Sequence, residues 1–423
     1  MRPALGRAIS LAVGTLLAAA ACGPDRAARE PRLRVLIPAS EVPMWAHIAE
    51  AFRAEQGVPV EIVEGPNSTD LRENLYTASL LGRDDSFDLV YLDVTWTAKF
   101  AAAGWLVPLD DDFAAAEQAG FLPAALEAGR YQGSLYRVPM RTDVGLLYYR
   151  RDLLDAAGMA PPETFDDLVR VARALQSPPG RWGFVWQGSQ YEGLVCNYLE
   201  VLRGHGGYWV DDGTRRVGLE DEPARAALTT LRGMLAGGDP ISPPGVTAYK
   251  EDESRRLFQD GRAVFLRSWS YVWRLVQARD SPLAGKVGVR PMVRASAPAA
   301  GTLGGWGLGV SRFSRFRDHA VRFVRHAATL PSQRALCIDS GYAPALRAAY
   351  DDPELRRANP FLAELLRLHE HAVPRPILPR YALASDILQR RLSAALAGLE
   401  TPEQALRVAA RETRLLLGGG PRS

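Results

Sequence analysis

The periodic part of the chain opens with "RLRVLIPAS", an apolar run of strand length. In "VPMWAHIAEAFRAEQG", which follows, apolar residues return at the helical interval until Gly57. "VPVEIVEG" predicts a second strand and "TDLRENLYTASLLGRD" a second helix, with Thr69 or Asp70 placed to cap it. "FDLVYLDV" predicts a buried strand, and a helix continues through "WTAKFAAAG". This β-α-β-α-β order predicts a parallel sheet covered by helices on both faces. Ligands of such sheets sit beyond the carboxyl ends of the strands. Asp93, Thr95 and Trp96 fall at that end of the third strand.

A second unit begins near "YRVPMRTDVGLLYYRRDLLDAAG", where the strand "VGLLYYR" leads into a helix. "PPETFDDLVRVARALQ" predicts a further helix with Thr164 as its cap. Helical patterns continue through "EGLVCNYLEVLRG", "EPARAALTTLRGMLAGG" and "ESRRLFQDG". The strand "AVFLRSW", the segment "GKVGVRPM" and the glycine-rich "TLGGWGLGVS" come next. Helices dominate from "RDHAVRFVRHAATL" to the end, and no internal repeat interrupts the pattern.

Ahead of the periodic part, Arg2 and Arg7 precede a run from Ala8 to Ala21 without a charge. The run is shorter than the ~20 apolar residues a membrane span takes. Its basic head, short apolar body and small residues before Cys22 describe a secretory signal peptide over residues 1–21. Residues 22–32 then form a linker. The remainder, about 400 residues, is long enough for two or more domains with their own cores. Apolar content of 47% and charged content of 23% are those of a soluble globular chain. The net charge of +3 is spread along the sequence, so nothing points to nucleic acid. Of the three cysteines, Cys196 and Cys337 stand in apolar settings; buried free thiols are expected, with a disulfide between them as the alternative open to a chain outside the cytoplasm. The six histidines show no metal-ligand spacing; His369 and His371 in "HEH" fall on different faces of a helix.

The blocks "LDVTWTAKFAAAGWLVPLD", "TDVGLLYYRRDLL", "FVWQGSQYEGLV", "FQDGRAVFLRSWSYVW", "TLGGWGLGVS" and "VPRPILPRY" stand in the order seen in bacterial trehalose/maltose-binding proteins. The chain resembles this family, the extracellular solute-binding proteins of ABC importers, from about residue 33 to its C-terminus. The resemblance implies an α/β fold of the periplasmic-binding-protein type (type II, flytrap), with two hinge-linked lobes. Lobe 1 would comprise 33–141 and 306–343, and lobe 2 would comprise 142–305 and 344–423. Chain crossings are expected at "PMRTDVG" and "GTLGGWG", with a third near "DSGYAPAL". Gly304, Gly305 and Gly307 would supply loose dihedrals there. In the family's pattern Cys22 matches the lipid-bearing cysteine of a lipobox, although Ala19 stands where leucine is usual. The implied partners are a disaccharide, the permease subunits and the membrane through the N-terminal lipid. The implied location is the cell envelope, at the outer face of the cytoplasmic membrane or in the periplasm. The implied molecule is a monomer without cofactor or catalytic residues.

A disaccharide offers flat C–H faces and a rim of hydroxyls. Aromatic rings can cover the faces, while carboxylates accept and arginine donates at the rim. Carried over from the family, Asp93, Asp143, Glu251, Trp269, Tyr271, Gly305, Trp306 and Arg375 are the main ligand candidates, with Arg72 and Glu41 behind them. Each also has a structural reading. Asp93 could cap a helix, Asp143 could serve the hinge, Glu251 could lie on a solvated face, and either Trp269 or Trp273 could pack in a core. Glu192 divides between ligand contact and an interlobe role. Trp306 is expected to face the cleft, since its glycine neighbours offer no side chains to pack against. Two positions depart from the family's pattern: Pro43 stands at an acidic ligand position with Glu41 two residues earlier, and Arg141 replaces an aromatic residue. Carboxylates in a sugar cleft also serve glycoside hydrolases, so a secreted hydrolase is the rival class. A sugar chemoreceptor component is a third.

Overall fold

The computed structural model of the chain describes residues 30–338 and 340–418. The expected signal peptide, Cys22 and most of the linker lie outside the described residues. Strands β1 (Leu33–Pro38), β2 (Val60–Gly65) and β3 (Leu89–Asp93) pair in parallel, with β1 between the other two. Every residue of β3 is buried, which a strand covered on both faces requires. The helix Val42–Gln56 carries Pro43 in its first turn, where a missing N–H costs nothing. It buries Trp45, Ile48, Ala49 and Phe52, and ends where Gly57, at φ 72°, donates its N–H to the Arg53 carbonyl. The helix Thr69–Leu81 is capped differently from expectation. Ser68 holds the cap position without a side-chain bond, and Thr69 and Asp70 lie inside the first turn. Thr164 behaves as expected, accepting from the Asp167 N–H in a reciprocal box.

A short hairpin of β4 (Arg130–Tyr131) and β5 (Ser134–Leu135) precedes β6 (Val138–Arg150), the spine of the molecule. Beyond it come β7 (Trp182–Val185), β8 (Ala263–Trp269), β9 (Val287–Pro291), β10 (Leu303–Val310) and the two-residue β11 (Ala343–Pro344). The large sheet has nine strands, ordered β2-β1-β3-β10-β6-β8-β7, with β9 and β11 also on β6. The first half of β6 lies between β10 and β11, and its second half lies between β8 and β9. One strand therefore passes from one half of the molecule to the other.

Two apolar cores flank this spine. The first gathers Leu33, Trp45, Phe52, Tyr91, Phe100, Trp306 and Phe323, and follows β6 through Leu146 and Tyr148 to Leu266. The second gathers Leu147, Phe165, Trp186, Tyr198, Trp209, Leu228, Leu388 and Leu406. Leu146 and Leu147 enter different cores because successive side chains of a strand point to opposite faces. Residues 344–368, expected with the second lobe, contribute Ala345, Tyr350, Leu355 and Leu365 to the first core, which also holds Phe258, Val272 and Val287 of that expected lobe. After β11 the Leu122 N–H donates to the Ala345 carbonyl, and Arg334 pairs with Asp352. From Leu378 onward the chain packs on the second core. Cys196 and Cys337 are free and buried, and burial pushes each thiol up to about 12.

Candidate functional site

The candidate residues gather where β3, β10 and β6 run side by side. Register places Trp306 opposite Asp93 on one side and Arg141 on the other, and Gly304 opposite Asp143. The β6–β10 register shifts between Trp306 and Gly307. Gly305 is required there. Its φ is +142°, and a Cβ would stand 2.8 Å from the Arg141 carbonyl oxygen.

Asp93 lies at the carboxyl end of β3. Its Oδ1 accepts from the Thr95 N–H at 3.0 Å, the Thr95 hydroxyl at 2.9 Å and Arg375 Nη2 at 3.3 Å. Its Oδ2 has no hydrogen bond to any described residue. Asp143 is arranged alike. Its Oδ1 accepts the Ser270 N–H at 2.8 Å, the Ser270 hydroxyl at 2.7 Å and the Val144 N–H at 2.9 Å. Burial raises the carboxyl pKa of Asp143, and the Ser270 bonds work against that rise. Each aspartate is thus fixed through one oxygen while the second keeps its acceptor capacity. Ser270, the anchor of Asp143, carried no signal in the sequence.

Trp306 is packed rather than bare. Its ring centroid lies 5.0 Å from Tyr91 and 5.3 Å from Trp96, and the Arg72 guanidinium sits 4.5 Å over the ring. Only 8% of the residue is exposed. The expectation that its glycine neighbours leave it without packing is corrected: neighbouring strands and Arg72 supply what its own strand does not. Arg72 donates through Nη1 to the carbonyls of Pro66 (2.7 Å) and Asn67 (2.8 Å). Its Nε is buried without a partner among the described residues. Burial lowers its pKa from the ordinary arginine value.

Glu41, the carboxylate two residues before the departure at Pro43, and Arg141, the second departure, prove to be partners. Arg141 Nη2 donates to Glu41 Oε1 at 2.7 Å, and both side chains are buried. Tyr91 donates to Glu41 Oε2 at 2.9 Å, and Tyr342 donates to Oε1 at 3.3 Å. The Arg141 guanidinium lies 3.7 Å over the Tyr342 ring. Glu41 is therefore engaged inside the protein. A carboxylate displaced by two residues and an unexpected arginine were the signal that could have revealed the pair.

From the second half come Trp269, Glu251 and Tyr271. Trp269 Nε1 donates to Glu251 Oε1 at 3.4 Å, and the Arg267 guanidinium lies 4.2 Å over the indole. Gly304 leaves room for this ring, since a Cβ would meet it at 3.2 Å. Glu251 opens the helix Glu251–Gln259, where a carboxylate suits the helix dipole. Tyr271 meets Tyr342 edge-on at 6.1 Å, and burial raises its phenol pKa. Arg375 joins the two halves. Its Nη1 donates to Glu192 Oε1 at 2.8 Å, while Nη2 reaches Asp93 and, at 3.5 Å, the Leu303 carbonyl. Burial acts to lower its pKa, but Cys196 and the carboxylates Asp93 and Glu192 outweigh it and hold the group well above the ordinary value.

The arrangement offers aromatic faces from both halves, aspartates with an oxygen to spare, and a fixed guanidinium between them. Such a set suits a polyhydroxylated ligand. Cavities of about 720 Å³ beside His47 and His326 and about 460 Å³ beside Arg203 open elsewhere, and none of these candidate residues lines them.

Comparison with known proteins bears on the same region. The sequence profile described as "Bacterial extracellular solute-binding protein" matches residues 39–333. The "Probable ABC transporter-binding protein" of Deinococcus radiodurans is 32% identical, over 88% of this chain and 90% of its own. The "Maltotriose-binding protein" of Pyrococcus abyssi is 26% identical, over 81% of this chain and 72% of its own. Among solved structures, maltose-bound MalE3 of T. maritima superposes with a TM-score of 0.85 at 36% identity, covering 91% of this chain and 99% of that one.

Proposed function

From the premise that the chain belongs to the bacterial extracellular solute-binding proteins, sugar-binding and non-enzymatic components of ABC transporters, we propose that it binds an α-glucoside disaccharide of the trehalose/maltose type. The sugar would lie between the two lobes that β6 and β10 connect and be handed to the permease subunits. One observation carries this reading. Asp93 and Asp143 each keep Oδ2 unbonded to any described residue while Trp306, Trp269, Tyr271 and Arg375 stand round them. The maltose named for the T. maritima structure and the maltotriose named for the P. abyssi protein support an α-glucoside. Glu41, committed to Arg141, acts on the sugar only through its neighbours.

The test is calorimetric titration with trehalose, maltose, maltotriose, cellobiose and mannitol. Binding of trehalose or maltose in preference to cellobiose and mannitol is expected, with no glucose released on incubation. Release of glucose would support the hydrolase instead. We further propose that Cys22 carries lipid and holds a monomeric protein at the cell envelope. Wild-type protein should then partition with membranes, and Cys22→Ala should be released or left unprocessed. Wild-type protein found wholly soluble and lipid-free would end that proposal.

A further inference from the structure

The geometry points to Glu192 as a positioning residue for the sugar. It would hold Arg375 by one nitrogen so that the other faces the cleft, and it would touch no sugar itself. This rests on the sugar-binding reading above.

Glu192 opens the helix Glu192–Gly204, on the second core. Its Oε1 accepts from Arg375 Nη1 at 2.8 Å and from the Tyr381 hydroxyl at 2.6 Å, and its Oε2 accepts from the Ser385 hydroxyl. Both oxygens are engaged, so its value to a ligand is indirect. Arg375 is held unequally at its two ends. The Glu192 contact is a short, charge-assisted bond, whereas the Nη2 contacts to Asp93 and the Leu303 carbonyl are 3.3 and 3.5 Å. Nη1 is anchored. Nη2 is the end a hydroxyl can take over at little cost, because the bonds it would replace are long and weak.

The guanidinium also has donor capacity to spare, since its Nε is buried without a partner among the described residues. Its side chain is only 5% exposed, so its position is set by these partners and not by solvent. The loop reinforces this. Pro374 and Pro376 flank Arg375, and the Ile377 N–H donates to Asp212. Glu192, Tyr381 and Ser385 form a bracket on the second core that presents Arg375 to Asp93 at the end of β3. A negative charge at Glu192 also offsets the desolvation of the guanidinium, which a neutral residue there would leave uncompensated.

The test is a double-mutant cycle by calorimetry, using whichever of maltose or trehalose binds wild-type protein. E192Q keeps the shape and removes the charge. It should weaken binding by roughly tenfold or more, the scale of one charge-assisted bond. In an R375Q background the same change should have little further effect, since Glu192 acts only through Arg375. A merely structural role would instead lower affinity equally in both backgrounds. Should E192Q not fold, Tyr381→Phe and Ser385→Ala, each removing one donor to Glu192, enter the same cycle and should show smaller losses that vanish with R375Q. Unchanged affinity in E192Q, or a loss that persists in full beside R375Q, overturns the inference alone. Failure of wild-type protein to bind any saccharide overturns the sugar reading and this inference together.

Discussion

The indole of Trp306 is held by Tyr91, Trp96 and Arg72, all brought to it by neighbouring chain segments. Its truncation therefore tests two things at once. Removing a buried tryptophan typically costs ~3–5 kcal/mol of stability, so Trp306→Ala should melt markedly lower and is a poor probe of binding alone. Trp306→Phe keeps a ring against Tyr91. It should fold near normally while weakening sugar binding by roughly tenfold, the scale of a lost stacking area. Calorimetry beside a melting curve separates the effects, and an affinity unchanged in the phenylalanine variant would remove Trp306 from the site. His369 is a second residue whose neighbours decide its chemistry. Its Nδ1 lies 2.7 Å from the Leu365 carbonyl in a buried setting, while His371 is exposed. Burial lowers its pKa from 6.5 to about 4. The unfolded chain takes up a proton near 6.5 and the folded one resists until about 4. The stability from this group is thus complete above 6.5 and lost as pH falls through that window, by up to about 3 kcal/mol. Denaturant titrations from pH 7 to 4 should show His369→Asn with a shallower decline than wild type. Parallel profiles would show that His369 does not titrate this way.

At the scale of elements, the local patterns of β1, β2, β3 and their helices were legible because each buries its face against its nearest neighbours in sequence. β6 was legible only in part. Its strand pattern was plain from Val144 to Arg150, but the stretch before it is extended because β10 and β11 pair with it, and both lie more than 150 residues downstream. Glycines show the same division. Gly304, Gly305 and Gly307 announced a crossing, whereas nothing local marked Gly145. A Cβ at Gly145 would lie 1.8 Å from Glu200 Oε1 and 2.6 Å from Arg267 Nη2. Glu200 and Arg267 are a fully buried ion pair, and Glu200 also accepts the Thr302 N–H at the start of β10. Gly145→Ala should therefore displace a buried pair and cost ~3 kcal/mol or more, as breaking such pairs does. Gly304→Ala meets only the Trp269 ring and the Asp143 Cβ, at 3.2 and 3.3 Å. It should cost less stability but weaken sugar binding, because Trp269 must move. Denaturant unfolding and calorimetry on both variants check the contrast. Equal stability losses would mean that the Glu200–Arg267 pair yields more readily than its packing indicates.

At the scale of the molecule, the candidate site is legible as a set of residues but not as a set of partners. Asp93, Asp143 and Arg375 could be picked out one by one, while the bonds that fix them, Ser270 to Asp143, Arg375 to Glu192 and Arg375 to Asp93, join residues 127, 183 and 282 positions apart. Those bonds decide how the two halves respond to a ligand. Asp93 ends β3 in the first half, while Glu251, Trp269 and Tyr271 come from the second half, and Arg375 touches both Asp93 and Glu192. A sugar held by one half alone would gain nothing from closure. A sugar that touches both favours the closed form by its differential affinity, and turning a 1:99 population into 99:1 takes about a 10⁴-fold preference. The Arg375–Asp93 bond, at 3.3 Å, spans the halves without sugar and so biases the free protein toward closure. Small-angle scattering should show wild-type protein contracting at saturating maltose or trehalose. R375Q without sugar should be at least as expanded as wild type, since it lacks that bond, and should contract less completely with sugar. If wild-type protein binds the sugar and its dimensions do not change while R375Q is more expanded, the bond already holds the free protein closed. If neither protein changes in any condition, the halves do not move on the strand pair β6–β10, and the sugar reaches its site by another path.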